Sequence, residues 1–471
     1  MHVGLPTAFV TACEDVVGAA HVRQDEPSLV AYGMDALQRG RPADLVVLPG
    51  STDEIAAVVG LCAEAGVPVV PRGAGTGYSG GAVPTEGGVV LSLERLNRIL
   101  EIDEANLLAV VEPNVITGEL QAAAERVGLF YPPDPASLDR SVIGGNVAEC
   151  AGGPRAFKYG TTRRYVLGLE AVLPTGEIVR TGGKSVKNVV GYDLTQLLVG
   201  SEGTLAILTR IVLRLMPLPP VRLTVRATFE SIEAAAAAVT ALLRARVVPA
   251  ALELIDGDSL AAVARYLGGS ALAPPGTAAL LLIEVDGLPS AAAEEASRVR
   301  EACRASGAVE VERAATPAER DELWRVRREL SPALRTIAPL KINHDIVVPK
   351  GRLPELFELV ARLKRESGLP IPCFGHAGDG NIHVNVMVDP ADDAALARAR
   401  AAERALFAGV VSLEGSISGE HGIGFAKAPY LHLELDPEVI ALMKRVKRAF
   451  DPQGILNPGK IFPPDPESDR T

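Results

Sequence analysis

Glycines 73, 75, 77, 80 and 81 crowd into the stretch RGAGTGYSGG, directly after the short apolar run VPVVP. A strand feeding such a loop lets the backbone approach a ligand closely and turns its N–H groups inward. The stretch contains GxG, yet Tyr78 stands where GxGxxG needs its third glycine, and no lysine follows as GxxxxGK[ST] requires. Taken alone, it fits a glycine-rich hairpin and a ligand loop equally. Two further clusters favour the ligand. SVIGGNVAECAGG adds Gly144, Gly145, Gly152 and Gly153, with Ser141 and Asn146 as hydrogen bonders, and GYDLTQLLVGSEGTLAI adds Gly191, Gly200 and Gly203. Three clusters in one domain suggest a long ligand crossing several loops, and a dinucleotide with its pyrophosphate has that length.

The elements around these loops are readable locally. Ser51 and Glu54 in STDE form a capping box for a helix that Gly66 ends. VPVVP, GVVLSL and LLAVVEP read as strands, and TGELQAAAERVG as a helix from Thr117 to about Gly128, capped at both ends. From Tyr131 to Gly160 the chain is loop-rich, and so long an irregular stretch is usually functional. VLGLEAVLP, EIVRTG and GTLAILTRIVLRLMP return to a strand pattern before the proline-rich seam MPLPPV, which marks a domain boundary. Beyond it, strands such as AALLLIEVDG alternate with helices such as SIEAAAAAVTALLRA and ERDELWRVRRELSPALR, giving an α+β or α/β domain. PEVIALMKRVKRAFD is a last helix.

A chain of 471 residues exceeds one ordinary core and implies roughly two to four domains. The polar, proline-rich FPPDPESDRT after Ile461 is expected to fray. With net charge −11 and no Lys/Arg run interleaved with aromatics, the chain does not read as a nucleic-acid binder. An anionic substrate would need locally placed cations. The five cysteines are scattered and odd in number and form no CxxC, so neither a disulfide framework nor a cysteine-held iron–sulfur cluster is indicated, and buried reduced thiols in a cytoplasmic protein are expected. The start does not read as a signal peptide. Apolar stretches such as EAAAAAVTALL fall short of a membrane span, so any membrane association would run through a partner.

Only seven histidines occur, and two lie in FGHAGDGNIHVNV. His376 falls in the loop. NIHVNV alternates as a strand, so His383 and Asn385 share a face. Two imidazoles at this spacing chelate a divalent ion if a third ligand approaches, and Glu420 in SGEHGIG offers one. Such a set suits Zn²⁺, Mn²⁺ or Fe²⁺ with open positions. Spacing alone leaves open a turn in which both histidines are merely hydrogen-bonded. His421 faces away from Glu420 if the segment is extended, or is simply a surface histidine. Arg325, Arg327 and Arg328 in LWRVRREL have the pattern of a solvated helix face.

Together, PRGAGTGYSGG, DPASLDRSVIGGNVAECAGGPRAFKYG and GYDLTQLLVGSEGTLAI resemble the vanillyl-alcohol-oxidase (PCMH-type) FAD domain. More narrowly they resemble the glycolate oxidase D-subunit and D-lactate dehydrogenase branch, from about Arg41 to Phe462. The resemblance implies an α+β fold. An N-terminal helical segment (1–40) precedes a two-part PCMH-type FAD-binding domain (41–217). An α/β cap or substrate domain (218–462) carries the metal and catalytic motifs and a C-terminal helical segment returning to the flavin. A flexible tail (463–471) follows.

The resemblance also implies site residues. Pro71, Arg72, Gly73, Ala74, Gly75, Thr76, Gly77, Ser79, Gly80 and Gly81 would line the pyrophosphate. Asp134, Ser137, Ser141, Gly144, Gly145 and Asn146 would approach the flavin, with Gly152, Lys158, Tyr159 and Gly160 nearby. Glu202, Gly203 and Ile207 would hold the adenine half, and Asn457 is a further cofactor contact. Some members attach FAD covalently through a histidine of the first domain. Here no histidine occurs between His21 and His344, so FAD is expected to be non-covalent. Cys150 and Arg155 depart from the Asn and His common in relatives.

For the chemistry, the resemblance implies a divalent metal (Zn, Mn or Fe) on His376, His383 and Glu420, and His421 as catalytic base. Arg327 would clamp the substrate carboxylate with Ser331 and Lys341, and Asn385 would add a hydrogen bond. The implied reaction is FAD-dependent oxidation of a 2-hydroxy acid to the 2-oxo acid, with hydride transfer to flavin N5. Glycolate, D-lactate or a similar D-acid is the implied substrate. Alternatives are a non-catalytic FAD-binding subunit of a glycolate-oxidase-like complex, or another FAD alcohol oxidase. An electron acceptor or iron–sulfur partner subunit, a homodimer, and a cytoplasmic location peripheral to the inner membrane complete the expectation.

Overall fold

The computed structural model describes residues 5–269, 272–274 and 276–463. The flexible tail expected at 463–471 lies, beyond Pro463, outside these residues. The chain divides into two compact units. Residues up to 152, 161–218 and 420 onward form the first, and residues 153–160 and 219–419 the second.

In the first unit, helix Thr52–Ala65 starts and stops by local chemistry. Ser51 Oγ accepts the N–H of Glu54 at 3.1 Å, the Glu54 carboxylate accepts the N–H of Gly50 at 2.7 Å, and Gly66 closes the helix at φ +63°. Its Ile55, Val58, Val59 and Cys62 form one buried stripe. They pack with Phe9, Val10 and Cys13 of helix Thr7–Val17 against a four-stranded sheet. Each such aliphatic side chain contributes about 1.5–3 kcal/mol on burial. The sheet runs Val22–Arg23, Leu45–Val47, Val89–Ser92, Val69–Arg72, and its last three strands are parallel. The N-terminal helical segment thus also contributes an edge strand, paired antiparallel to Val46 and Val47. The C-terminal chain joins the opposite edge: Val69 N–H donates to Ile455 O, and Asn457 N–H to Val69 O, each at 2.8 Å. That pairing sets Asn457 beside the end of the strand feeding the glycine loop. A separate five-stranded antiparallel sheet has Ile207–Arg214 at its centre.

Two local expectations need correction. Helix Thr117–Glu125 ends earlier than Gly128, and Thr117 does not cap it. Its hydroxyl bonds Ser141 O at 3.0 Å and accepts from Asn146 Nδ2 at 2.7 Å, so a buried tertiary contact has taken the capping group. The stretch 131–160 also contains helices Ile143–Glu149 and Ala156–Tyr159. Gly144 permits the first, because a Cβ there would stand 2.6 Å from Pro113 Cβ.

The second unit is built on a seven-stranded sheet. Its order is Glu310–Arg313, Val221–Phe229, Ala279–Gly287, Ala251–Asp256, Cys373–His376, Asn381–Val388, Leu340–Val347. Every pairing is antiparallel, so the strand–helix alternation carries no parallel crossovers. Val326 and Leu330, from helices Pro317–Arg328 and Leu330–Ala333, bury with Ile255, Leu282, Phe374 and Met387. The hairpin between Cys373–His376 and Asn381–Val388 turns at Gly380, φ +81°, where a Cβ would meet Val348 O at 2.0 Å.

Candidate active site

Register gathers the polar residues of the second unit. Glu253 pairs with His376, Phe374 with His383, His383 with Asp345, Asn385 with Asn343, and Met387 with Lys341. Cross-strand partners share a face, and residues two apart repeat it. One face of a largely apolar sheet therefore carries Glu253, His376, His383, Asn385, Asp345, Asn343 and Lys341. Burying so many polar groups is costly unless each is partnered, and such clusters mark functional sites.

Glu253 is fully buried and joins two of the expected site residues. His376 Nδ1 lies 2.5 Å from Glu253 Oε1, and Arg327 Nε donates to Oε2 at 2.7 Å, with Arg327 Nη2 also in contact. Burial alone would raise the Glu253 pKa. The Arg327 charge, the His376 ring beside it and the hydrogen bonds from both outweigh it and hold the group at about 2. Arg327 also lies over the Phe374 ring, 4.9 Å from its centroid. It is thus no solvated helix arginine: it is buried, with one edge of its fork on Glu253.

The expected substrate contacts divide. Lys341 Nζ hydrogen-bonds the Ser331 hydroxyl, bringing that pair together. Burial first, and the Arg335 charge second, push Lys341 down to about 8. Asn385, in contrast, is fully buried: its Oδ1 accepts from Asn343 Nδ2 at 2.7 Å, and its Nδ2 donates to Pro372 O and His383 O. Asn343 Oδ1 is buried without a hydrogen-bond partner. Asn343 was not anticipated, although it shares the Lys341 strand face.

Two of the three expected cation ligands, His376 and His383, lie side by side. The His376 and His383 ring centroids lie 5.5 Å apart at 84°. His383 Nδ1 lies 3.9 Å from Asp345 Oδ1. Asp345 is fully buried and accepts Asn381 Nδ2 at 2.6 Å and Gly419 N–H at 2.9 Å. Gly419 immediately precedes Glu420 in the chain. Two imidazoles beside fixed carboxylates are the ligand chemistry that a borderline divalent ion takes. Glu253 and Asp345 were missed because a lone acid within an apolar strand pattern has no local signature.

In the first unit, the glycine loop and the C-terminal segment interlock. Asn457 Nδ2 donates to Gly81 O at 2.9 Å and to Glu202 O at 2.8 Å. Glu202, expected at the adenine half, has backbone partners for its carboxylate. It accepts the N–H groups of Ile423 at 2.8 Å and Gly424 at 2.6 Å, just after His421. Glu149 lies beside them with its Oε2 buried, and a Cβ on Gly422 would lie 2.1 Å from that atom. Tyr78 stacks on His421 with centroids 5.5 Å apart. Gly80, at φ +82°, is demanded by Phe425, whose ring a Cβ would meet at 2.1 Å. The loop fits a dinucleotide: Ser79 Oγ and Asn457 Oδ1 are buried without a hydrogen-bond partner, a state that a bound polar ligand relieves.

Other expected cofactor residues have protein partners. Ser141 and Asn146 bond Thr117. Arg72 Nη1 donates to Tyr32 O at 3.2 Å. Lys158 and Tyr159 fold with the second unit, where Asp286 binds Lys158 Nζ at 2.5 Å and Tyr159 Oη at 2.6 Å.

Comparison with known proteins gives a consistent picture. Residues 43–182 match the FAD binding domain model, and residues 218–461 match FAD linked oxidases, C-terminal domain. The chain is 43% identical over 451 residues to glycolate oxidase subunit GlcD of Bacillus subtilis (strain 168), covering 96% of each chain. It is 38% identical over 429 residues to a D-lactate dehydrogenase of Anaerostipes hadrus, covering 90% of each. The fold resembles p-cresol methylhydroxylase with substrate bound (TM-score 0.81, 19% identity, 96% of each chain). It also resembles 4-ethylphenol oxidase from Gulosibacter chungangensis (TM-score 0.79, 23% identity, 98% of this chain and 99% of that one).

Proposed function

The chain belongs to the FAD-linked oxidase family, and from that premise we propose that it oxidises a small D-2-hydroxy acid to the 2-oxo acid with the help of a divalent metal. The family models give FAD, and the names glycolate oxidase and D-lactate dehydrogenase share oxidation of a 2-hydroxy acid; the D-configuration and the metal are the finer parts of the proposal. The relatives named D-lactate dehydrogenase support the D-configuration, and one structural observation supports the metal. One sheet face holds an imidazole pair and the acids beside it, and its Lys341 reaches Ser331 of helix Leu330–Ala333, a pair suited to a carboxylate.

Lys341 and Ser331 hold the substrate carboxylate by a charge-assisted hydrogen bond and a hydroxyl contact. Arg327, fixed by Glu253, offers its remaining edge to the same group. His376, His383 and Glu420 would ligate the metal, which supplies Lewis acidity to the α-hydroxyl. His421 takes the hydroxyl proton as general base, its ring braced by Tyr78. The glycine loops would hold FAD non-covalently, and the bound flavin would supply N5 as the hydride acceptor. Asn385 keeps a structural role, aligning His383 through its carbonyl, and Asn343 takes the substrate-facing position. Relatives named as an oxidase subunit support a separate electron-accepting chain as partner. Among the described residues, no helix is long and apolar enough to cross a membrane.

The test is turnover with an artificial acceptor, using D- and L-lactate, glycolate and D-2-hydroxyglutarate, before and after chelation. Activity on D-acids that falls on chelation and returns with Zn²⁺ or Mn²⁺ supports the proposal. Chelator-resistant activity removes the metal from it.

A further inference from the structure

Glu253 touches two candidate functional residues that arise from different parts of the sequence. His376 comes from the hairpin strand and Arg327 from helix Pro317–Arg328. The link between them is one carboxylate: Oε1 faces His376 Nδ1 at 2.5 Å, and Oε2 accepts Arg327 Nε at 2.7 Å. Each partner is held from more than one side. Glu253 sits opposite His376 in register, so the strands themselves fix that contact. Arg327 is backed by the Phe374 ring, two residues from His376 on the same strand face. The carboxylate has no exposure to solvent that would let water replace either partner.

A carboxylate on Nδ1 holds the proton there and leaves Nε2 as the lone-pair donor. It also fixes the plane of the ring. The same carboxylate fixes the plane of the guanidinium, whose fork binds a carboxylate only when aligned.

We propose that Glu253 is a positioning residue that locks His376 for metal ligation and Arg327 for substrate-carboxylate binding, so that the two sites are coupled through one side chain. The proposal rests on the metal reading given above. It adds that Arg327, which is not a ligand, contributes to metal retention through Glu253.

The experiment measures metal affinity by chelator competition and elemental analysis on the FAD-loaded protein. It compares wild type, Glu253→Gln and Arg327→Gln, with flavin content and melting temperature as folding controls. Glu253→Gln is expected to weaken metal binding by about 10- to 100-fold, the usual effect of losing such a partner. It should also raise KM for the hydroxy acid. Arg327→Gln is expected to weaken metal binding by a smaller factor, and this arm stands alone if Glu253→Gln fails to fold. Metal affinity unchanged in the folded variants overturns this proposal alone. Wild-type protein that retains no metal after reconstitution overturns the metal reading, and this proposal with it.

Discussion

The ring of Tyr78 stacks on that of His421, with centroids 5.5 Å apart and 28° between the planes. Tyr78 belongs to the glycine loop that would cradle the pyrophosphate, so the flavin loop also braces the proposed base. His421→Ala is expected to bind FAD normally and lose about 10²- to 10⁴-fold in kcat, the range for a lost general base. Tyr78→Ala should lower kcat only about 2- to 10-fold, in line with an aromatic contact of about 0.5–1.5 kcal/mol. Steady-state kinetics on flavin-replete protein checks both. Normal turnover in His421→Ala removes the base assignment.

Glu202 fixes the chain just past His421 through two backbone N–H bonds. Glu202→Ala leaves both donors without that acceptor and is expected to destabilise the protein by about 1–3 kcal/mol, read by urea unfolding.

Glu149, next to Glu202, is pushed well above its ordinary pKa by burial first and by the Glu202 charge second. The native state therefore keeps a proton that the unfolded chain releases, and stability falls as pH rises above the ordinary carboxylate value. Glu149→Gln should abolish that slope, so its melting temperature gains on wild type as pH is raised. Parallel curves for the two proteins would show that Glu149 is ionised in the fold.

Lys341 is held at about 8, mainly by burial. Its charge is present below that pH and lost above it. If it binds the substrate carboxylate, kcat/KM should fall above about pH 8, through KM more than kcat. Lys341→Arg should move the descending limb to higher pH, because a guanidinium keeps its charge. An unchanged limb in that variant assigns the titration to another group.

Arg327 and Glu253 are both buried. Removing one partner leaves an uncompensated charge, so Arg327→Ala should cost about 3–5 kcal/mol. A Glu253→Gln/Arg327→Met double variant should recover part of that loss. Denaturant unfolding of the set gives the coupling directly, and simple additivity would mean that the pair does not act as a unit.

What the sequence made legible was local. Ser51 and Gly66 bound a helix by contacts within a few residues, and the structure keeps them, while Glu54 reaches back one residue further than a capping box, to the N–H of Gly50. The strand alternation of NIHVNV placed His383 and Asn385 on one face, as found. The capping role of Thr117 failed because its hydroxyl serves Asn146, which folding brings from far along the chain. The same reason hid Glu253. Its significance comes from antiparallel register with His376 and from a helix more than seventy residues on. Family likeness drew attention to Glu202, but the acceptor role of its carboxylate toward Ile423 and Gly424 is visible only in three dimensions.

The central claim is hydride removal from a D-2-hydroxy acid by the bound flavin. Anaerobic mixing of the metal-reconstituted, FAD-loaded protein with D-lactate, C2-deuterated D-lactate, glycolate, D-2-hydroxyglutarate and L-lactate tests it in one turnover. The account predicts bleaching of the flavin absorbance by at least one D-acid or glycolate, with the 2-oxo acid formed in equal amount. It predicts slower bleaching with the deuterated substrate if D-lactate is the one used, and none with L-lactate. A flavin that stays oxidised with every one of these acids would contradict it.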